Sequence, residues 1–303
     1  MLCTQNRKDK WLFIINFTAG RGRAGKKINE LILYLNKYGF DYDIEVSKYA
    51  KHAIELARRA VEEGYEKIIA VGGDGTANEV INGIMQSGKA GNVTFGIIPE
   101  GAGNDFARVF TLSRKMKKAV QRLKCNKVIN IDIGKVEEYY FLNSLGMGFD
   151  AVVAEYASKF KKINGFARYF LAILKALIRF TNYKAKIIID GEEKEIDFTL
   201  FSVGNGQYCG GGIMLTPNAK VDDGLLDIGI VSGLTRRRLL KILPEALQGK
   251  HLHNEEVEMM SAEKFQIISN EKLPLYFDGE IPILKDCRNI TIEILKSRIR
   301  FLA

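Results

Sequence analysis

The chain has 303 residues, of which 47% are hydrophobic and 27% charged. This is an ordinary globular composition, long enough for two domains, and no run approaches the roughly eighteen apolar residues of a spanning helix. Its four cysteines, Cys3, Cys125, Cys209 and Cys287, form no C-x-x-C pair, which argues against a zinc site or a disulfide framework and fits a reducing, cytoplasmic setting. The net charge of +9 points to an anionic partner, whether nucleotide, nucleic acid or acidic membrane.

In chain order, the basic and apolar N-terminus mimics a secretion signal. However, polar Asn16 ends the run and no small-residue cleavage pattern follows, so Trp11 to Phe17 is expected to be a buried strand. A helix over Lys27 to Lys37, a strand over Tyr42 to Val46 and a helix from Ala50 to Glu63 come next. Then follow a strand over Lys67 to Val71, a helix over Ala77 to Met85 and a strand over Val93 to Ile98. This alternation predicts a doubly wound parallel α/β domain over residues 1–133.

After Ile133 the strand-like runs follow one another directly: Tyr139 to Leu145, Lys184 to Asp190, Ile196 to Val203, Leu225 to Val231, Phe265 to Ile268, Leu273 to Phe277 and Ile290 to Leu295. Asp190-Gly191 is a hairpin signal. An antiparallel β-sandwich is expected over 134–295, with helices over Phe149 to Phe180, broken at Gly165, and over Thr235 to Gln248.

The stretch VGGDGTANEV, Val71 to Val80, leaves a strand through Gly72, Gly73, Asp74 and Gly75 and enters a helix at once. Thr76 to Glu79 has the form T-x-x-E, which predicts a capping box. Bare glycines between a strand's carboxyl end and a helix's amino end suit an anion; the alternative is a tight turn. PEGAGNDFARVF repeats the design, with Gly101 and Gly103 before Asn104-Asp105. Asp74 suits a magnesium ion, whereas Asp105 reads equally as a helix cap. GRGRAGKK, Gly20 to Lys27, nearly matches a P-loop, but Lys27 replaces the magnesium-binding hydroxyl residue. A basic glycine-rich loop near phosphates is the milder reading. Asp278-Gly279-Glu280 and Asp222-Asp223-Gly224 read from sequence as catalytic or metal-binding acids, or as simple turns.

Together, GGDGTANEV, GIIPEGAGNDFAR, DDGLLDIGIV and LYFDGE resemble the diacylglycerol kinase catalytic-domain family of bacterial lipid kinases, related to sphingosine and ceramide kinases and more distantly to NAD kinases and phosphofructokinases. The resemblance covers nearly the whole chain. It implies an ATP-dependent kinase acting on a lipid hydroxyl, most simply that of diacylglycerol, with the nucleotide in a cleft between the domains. It also implies a C-terminal strand, about 296–303, that returns to the first domain. By this resemblance Gly72, Gly73, Asp74, Gly75, Thr76 and Asn78 cradle the phosphates, and Gly101, Ala102, Asn104 and Asp105 form the second loop. Asn16 and Ser47 lie near the nucleotide, Asp278 is the general base and Glu280 supports it. A structural Mg²⁺ takes the Asp223 side chain and the carbonyls of Lys220 and Leu225. Ala102 stands where the family has Thr, and Asn16-Phe17 where it has Asn-Pro. Phosphatidylglycerol, monoacylglycerol, ceramide, a sphingoid base or, as a soluble substrate, NAD are the alternative acceptors.

Ser158 to Lys186 carries eight Lys or Arg and no acid, interleaved with aromatic and aliphatic residues. It reads either as a basic amphipathic helix on the inner face of an anionic membrane or as a core helix with a solvated basic face. TRRRLLKIL, from Thr235, is expected to present a solvated face. His251 and His253 lack a third metal ligand and are expected in a polar loop, and His52 has no evident partner. No RNA-recognition, KH or zinc-finger signature supports nucleic acid as the partner. A homodimer stays open.

Overall fold

The computed structural model describes residues 7–160, 163, 165–281 and 287–303, with side chains at 165 and 166 left aside. The chain divides into one unit running up to Ile131 and rejoined by Ser297–Ala303, and a second of Asp132–Lys296. The first holds β1 (Trp11–Ile15), α1 (Ala19–Lys26), α2 (Ile28–Lys37), β2 (Tyr42–Val46), α3 (His52–Glu62), β3 (Lys67–Gly72), α4 (Asp74–Gln86), β4 (Thr94–Pro99), α5 (Asp105–Val109) and α6 (Met116–Cys125).

Strands buried on both faces need continuous apolar runs, and WLFII in β1 and TFGIIP in β4 are buried at every position. Each large side chain buried this way contributes about 1.5–3 kcal/mol. β1 pairs parallel with β2 and β3, and β3 pairs parallel with β4, so the order 2-1-3-4 switches direction between β1 and β3. The end of the last strand adds to β4, with Arg300 opposite Thr94 and Phe301 opposite Phe95. Phe301 lies 5.4 Å from Phe106 and 4.7 Å from Phe110, ring to ring. From α6, Arg122 donates to the carbonyls of Ile97 and Leu302, and burial pushes its guanidinium down to about 10.

The second unit comprises β5 (Val128–Val136, entering from the first), β6 (Tyr139–Phe141), β7 (Ser144–Gly148), α7 (Phe149–Lys159), α8 (Gly165–Ala176), β8 (Tyr183–Ile189), β9 (Glu192–Gly204), β10 (Leu226–Ser232), α9 (Arg236–Ala246), β11 (Val257–Ala262), β12 (Lys264–Ile268), β13 (Leu275–Phe277) and β14 (Asn289–Leu302). Its pairings are antiparallel, including β8 with β9, β9 with β7 and β10, β10 with β11, β12 with β8, and β13 with β7. Alternate residues from these strands meet in one core around Phe141, Phe198, Phe201 and Phe265. The β8–β9 hairpin turns at Asp190 and Gly191, both at positive φ (52° and 84°), as a two-residue type I′ turn requires.

Several expectations change. The capping box does not form: α4 starts two residues before Thr76, with Gly73 as its cap. Glu79 instead accepts from the N–H groups of Lys51 (3.0 Å) and Ala53 (3.2 Å), capping the neighbouring α3. The strand expected over Tyr139 to Leu145 is two, β6 and β7. The N–H groups of Leu142, Asn143 and Ser144, at and beside the break, bond to a side chain rather than to a strand. The glycine-rich segment before Lys27 falls within α1, but Gly20, Arg21 and Gly22 form a left-handed turn inside it and only the residues after them are helical. His251 is buried, with Nε2 3.2 Å from the Leu215 carbonyl, not part of an exposed polar loop. His52 has partners: Nδ1 accepts from Lys48 N at 3.0 Å and its ring stacks on Tyr49.

The basic segment forms α7, α8 and a 3-10 turn, Leu177–Arg179. Ala172, Ile173 and Ala176 face the core, while Phe170, Leu171, Leu174 and Ile178 are exposed. Lys161, Lys162 and Cys3 lie outside the described residues. Among the described residues no helix is long and apolar enough to cross a membrane. At α9, Thr235 Oγ1 caps the helix by accepting from Arg238 N at 3.3 Å, and Arg238 pairs with Glu256.

Asp150, in the first turn of α7, is buried. Its Oδ1 accepts from Ala151 N at 2.9 Å, and Oδ2 has no hydrogen-bond partner among the described residues. Burial pushes this carboxyl well above the usual carboxylate range. The fold therefore favours the neutral acid, while the unfolded chain ionises near pH 4. Stability is full below that pH and falls as pH rises through the folded value. Asp150→Asn, neutral throughout, should match the wild type near pH 4 and exceed it increasingly towards pH 8 in denaturant titrations. A pH-independent difference would contradict the assignment.

Candidate functional site

The carboxyl ends of β1 and β3 border the direction switch, where open α/β sheets bind ligands. Asn16 follows β1: its N–H bonds to the Val71 carbonyl at 3.1 Å and its side chain donates to Thr76 Oγ1 at 3.3 Å. Ser47, after β2, bonds through its N–H to the Ile15 carbonyl at 2.9 Å.

The two glycine loops lock into one another. Glu100 N and Gly101 N donate to the Gly72 carbonyl at 2.7 and 3.1 Å. Asp74 Oδ2 accepts from Asn104 N at 2.7 Å, and its Oδ1 accepts from Phe106 N at 3.3 Å. Burial raises the Asp74 carboxyl, and these backbone donors oppose that rise. Asn104 closes its own loop through Gly101 N (2.9 Å) and the Gly101 carbonyl (3.0 Å). A Cβ on Gly101 would lie 2.3 Å from Gly73 Cα, so two backbones touch here and only glycine fits. At this point the missing side chain serves loop-to-loop packing. One step on, Gly73 as the N-cap of α4 offers no side chain to the helix's first-turn amides. Gly75 is partly accessible and Ala102 exposed, while Asp105 is buried 4.0 Å from Arg108 Nε. Asn78 is buried further along α4, accepting from Asn82.

Glu100 is a residue the sequence reading passed over. It is fully buried, with Arg23 Nε at 3.1 Å and Lys27 Nζ at 2.8 Å. Arg23 also donates to the Glu100 and Gly101 carbonyls, and Arg114 to the Gly101 carbonyl at 3.1 Å. Burial and the Arg23 charge hold the Arg114 guanidinium below its ordinary value. Gly20, Arg21 and Gly22 all have positive φ (57°, 62° and 79°), a strain on the order of 1 kcal/mol at the non-glycine. The ion pairs to Glu100 hold that turn in place.

In the second unit, Phe277 and Glu280 exchange backbone hydrogen bonds across Asp278 and Gly279. Both turn residues have positive φ (46° and 83°), so Asp278-Gly279 is a tight hairpin turn. The buried Asp278 carboxylate turns back to accept from Leu142 N at 2.7 Å and from Asn143 N and Ser144 N at 3.0 Å each. Glu280 is exposed.

Asp223 Oδ1 accepts from Leu225 N at 3.1 Å, and Asp132 Oδ2 accepts from Gly224 N at 2.7 Å, fixing the 220–225 loop. Burial, and then the Asp223 charge, raise the Asp227 carboxyl. Neighbouring carboxylates with backbone carbonyls form the hard oxygen set that suits Mg²⁺. Among the described residues no three His, Cys, Asp or Glu side chains cluster as metal ligands, so the carbonyls of Lys220 and Leu225 would have to complete such a shell.

Comparison with known proteins gives consistent relatives. The family described as diacylglycerol kinase catalytic domain matches residues 10–136. The YegS C-terminal NAD kinase beta sandwich-like domain matches 143–292. A diacylglycerol kinase from Staphylococcus carnosus (strain TM300) is 33% identical, covering 88% of this chain and 87% of its own. One from Mycobacterium tuberculosis (strain H37Rv) is 31% identical over 88% and 87%. A solved structure of a diacylglycerol kinase from Bacillus anthracis str. Sterne superposes with a TM-score of 0.79 at 27% identity, covering 97% of this chain and 96% of that one.

Proposed function

Because the chain belongs to the lipid kinase family built on the diacylglycerol kinase catalytic domain, we propose that it transfers the γ-phosphate of ATP to the hydroxyl of diacylglycerol. The observation that carries this reading is the interlocked pair of strand-end loops, clamped by Asp74, that leaves the first-turn amides of α4 uncapped. Phosphoryl transfer needs the phosphates held, their charge offset and the attacking oxygen in line. The α4 amides hold phosphate, and the basic group of Arg23, Lys27 and Arg114 around Glu100 offsets its charge. Bound magnesium would add further charge neutralisation, and Asp223 with the carbonyls of Lys220 and Leu225 would hold a structural ion.

Asp278 takes the proton of the acceptor hydroxyl as that oxygen bonds to the γ-phosphorus and the bond to the ADP oxygen breaks. Backbone N–H groups of Leu142, Asn143 and Ser144 hold the Asp278 carboxylate. Those donors fix its direction, and Glu280 supports it. Labelled ATP, magnesium and a total lipid extract should yield labelled phosphatidate, with no label passing to NAD. Label in phosphatidylglycerol phosphate or in a phosphorylated ceramide or sphingoid base would keep the reaction and change the acceptor. Transfer to NAD alone would overturn the reading.

The substrate of such an enzyme stays in a bilayer. The exposed face of Phe170, Leu171, Leu174 and Ile178, beside Lys175, Arg179 and Lys184, suits peripheral contact with an anionic membrane. Leu174→Glu combined with Ile178→Glu should cut co-sedimentation with anionic vesicles by about tenfold. An unchanged sedimented fraction would remove this face from membrane contact.

A further inference from the structure

In the second unit, Asp150 on α7 reaches back over β7. A Cβ on Gly146 would stand 1.9 Å from Asp150 Oδ2 and 2.4 Å from Tyr276 Cε1, so the bare glycine lets carboxyl and ring meet above the strand. Asp150 is 9% exposed, and its Oδ2 has no hydrogen-bond partner among the described residues. The polar neighbour that could have met it, Tyr276, lies opposite Gly146 on β13, and its hydroxyl hydrogen-bonds to Cys209 instead. No cation pairs with Asp150 among the described residues, and burial disfavours a lone charge, so the carboxyl is the neutral acid. Its Oδ1 takes the Ala151 N–H at 2.9 Å, which leaves the proton on Oδ2 without an acceptor. Cys209, Gly210 and the half-buried Tyr169 of α8 border the group: a Cβ on Gly210 would lie 3.4 Å from the Tyr169 ring.

The same strand ties this acid to the assigned base. Ser144 N donates to Asp278 Oδ1 at 3.0 Å. Ser144 and Gly146 are alternate residues of β7, about 6.6 Å apart along one face. A glycerol backbone with its ester linkages covers that span. On the kinase reading, on which this inference rests, we propose that Asp150 Oδ2–H donates to an ester carbonyl of the acylglycerol whose hydroxyl meets Asp278, and so selects ester-linked acceptors over ether-linked ones. A dialkylglycerol presents the same hydroxyl but no carbonyl, and it leaves the buried donor unmet. Asp150 takes no part in moving the acceptor proton; it holds the glycerol so that the hydroxyl faces Asp278.

The test compares kcat/KM for 1,2-dioctanoylglycerol and its ether analogue 1,2-dioctylglycerol in mixed detergent micelles with ATP and magnesium. The wild type should favour the ester by about tenfold. Asp150→Ala should bring the ratio close to one by losing activity on the ester alone. Asp150→Asn keeps an N–H donor in place of the O–H and should keep the preference, and thermal melting checks that both variants fold. Loss of activity on both lipids alike in Asp150→Ala, with the ratio unchanged, would mean that the acid only supports the fold and would overturn the proposal. A ratio near one in Asp150→Asn would overturn it too. Equal kcat/KM for ester and ether in the wild type would do so without any variant, and would leave the kinase reading standing. Transfer to neither lipid by the wild type would instead overturn the kinase reading, and this inference with it.

Discussion

Asp278→Asn should lower phosphate transfer by about 10²–10⁴-fold and cost about 1–3 kcal/mol of stability. The catalytic loss follows from removing the group assigned to take the acceptor proton; an amide nitrogen has no lone pair to offer. The stability loss follows from the same side chain's second task. Three backbone N–H groups point at this carboxylate from Leu142, Asn143 and Ser144. An amide placed there turns one NH₂ towards a donor, and a buried N–H goes unmet. The hairpin itself should survive, because asparagine tolerates the φ of 46° that Asp278 adopts. Gly279→Ala separates the two tasks. It strains a residue at φ 83° where nothing lies within 4 Å of an added Cβ, costing about 1–2 kcal/mol, yet it keeps the carboxylate. Equilibrium unfolding and initial rates at saturating lipid should show both variants destabilised and only Asp278→Asn inactive. If Asp278→Asn unfolds more easily but turns over at the wild-type rate, the acid is a structural staple and the assigned base is wrong.

The parts of the fold legible in the sequence were those whose burial left a periodic trace. WLFII, KIIAVG and TFGIIP are central strands because both faces are covered, and an uninterrupted apolar run has no other economical explanation. Asp190-Gly191 marked its hairpin because few residues accept two successive positive φ values. The helix α6 was missed behind its lysines, although Met116, Ala119, Val120 and Leu123 keep the helical spacing and are its buried face. The strand β11 was missed because VEMMSA buries only its last residue, leaving little contrast to read. The capping box failed for a different reason. T-x-x-E describes a helix that starts at the threonine, but α4 starts at Asp74, which leaves Glu79 free to cap α3. That partner is 28 residues away along the chain, and no local pattern encodes it. Glu100 was illegible for the same reason: its partners Arg23 and Lys27 are brought to it only by the parallel sheet.

Gly101→Ala should weaken ATP binding at a site the alanine does not itself occupy. The added Cβ would stand 2.3 Å from Gly73 Cα and 2.7 Å from Asn104 Oδ1, and neither backbone nor that anchored amide can yield cheaply. The second loop must therefore lift off the first. Lifting it stretches the bonds from Glu100 N and Gly101 N to the Gly72 carbonyl and pulls Asn104 N and Phe106 N from the Asp74 carboxylate. Overpacking of this kind costs about 1–3 kcal/mol. Asp74 sits in the first turn of α4, beside the amides proposed to hold phosphate, so its displacement should raise the ATP dissociation constant by about tenfold or more. Ala102→Thr supplies the contrast one residue on. Ala102 is exposed, so the larger side chain should change stability by no more than about 0.5 kcal/mol while supplying a hydroxyl beside the loop. Nucleotide titration followed by thermal unfolding should separate the pair: weak binding and a lowered midpoint for Gly101→Ala, and an unshifted midpoint with equal or tighter binding for Ala102→Thr. Wild-type affinity in Gly101→Ala would mean that the contact between the loops does not shape the nucleotide site.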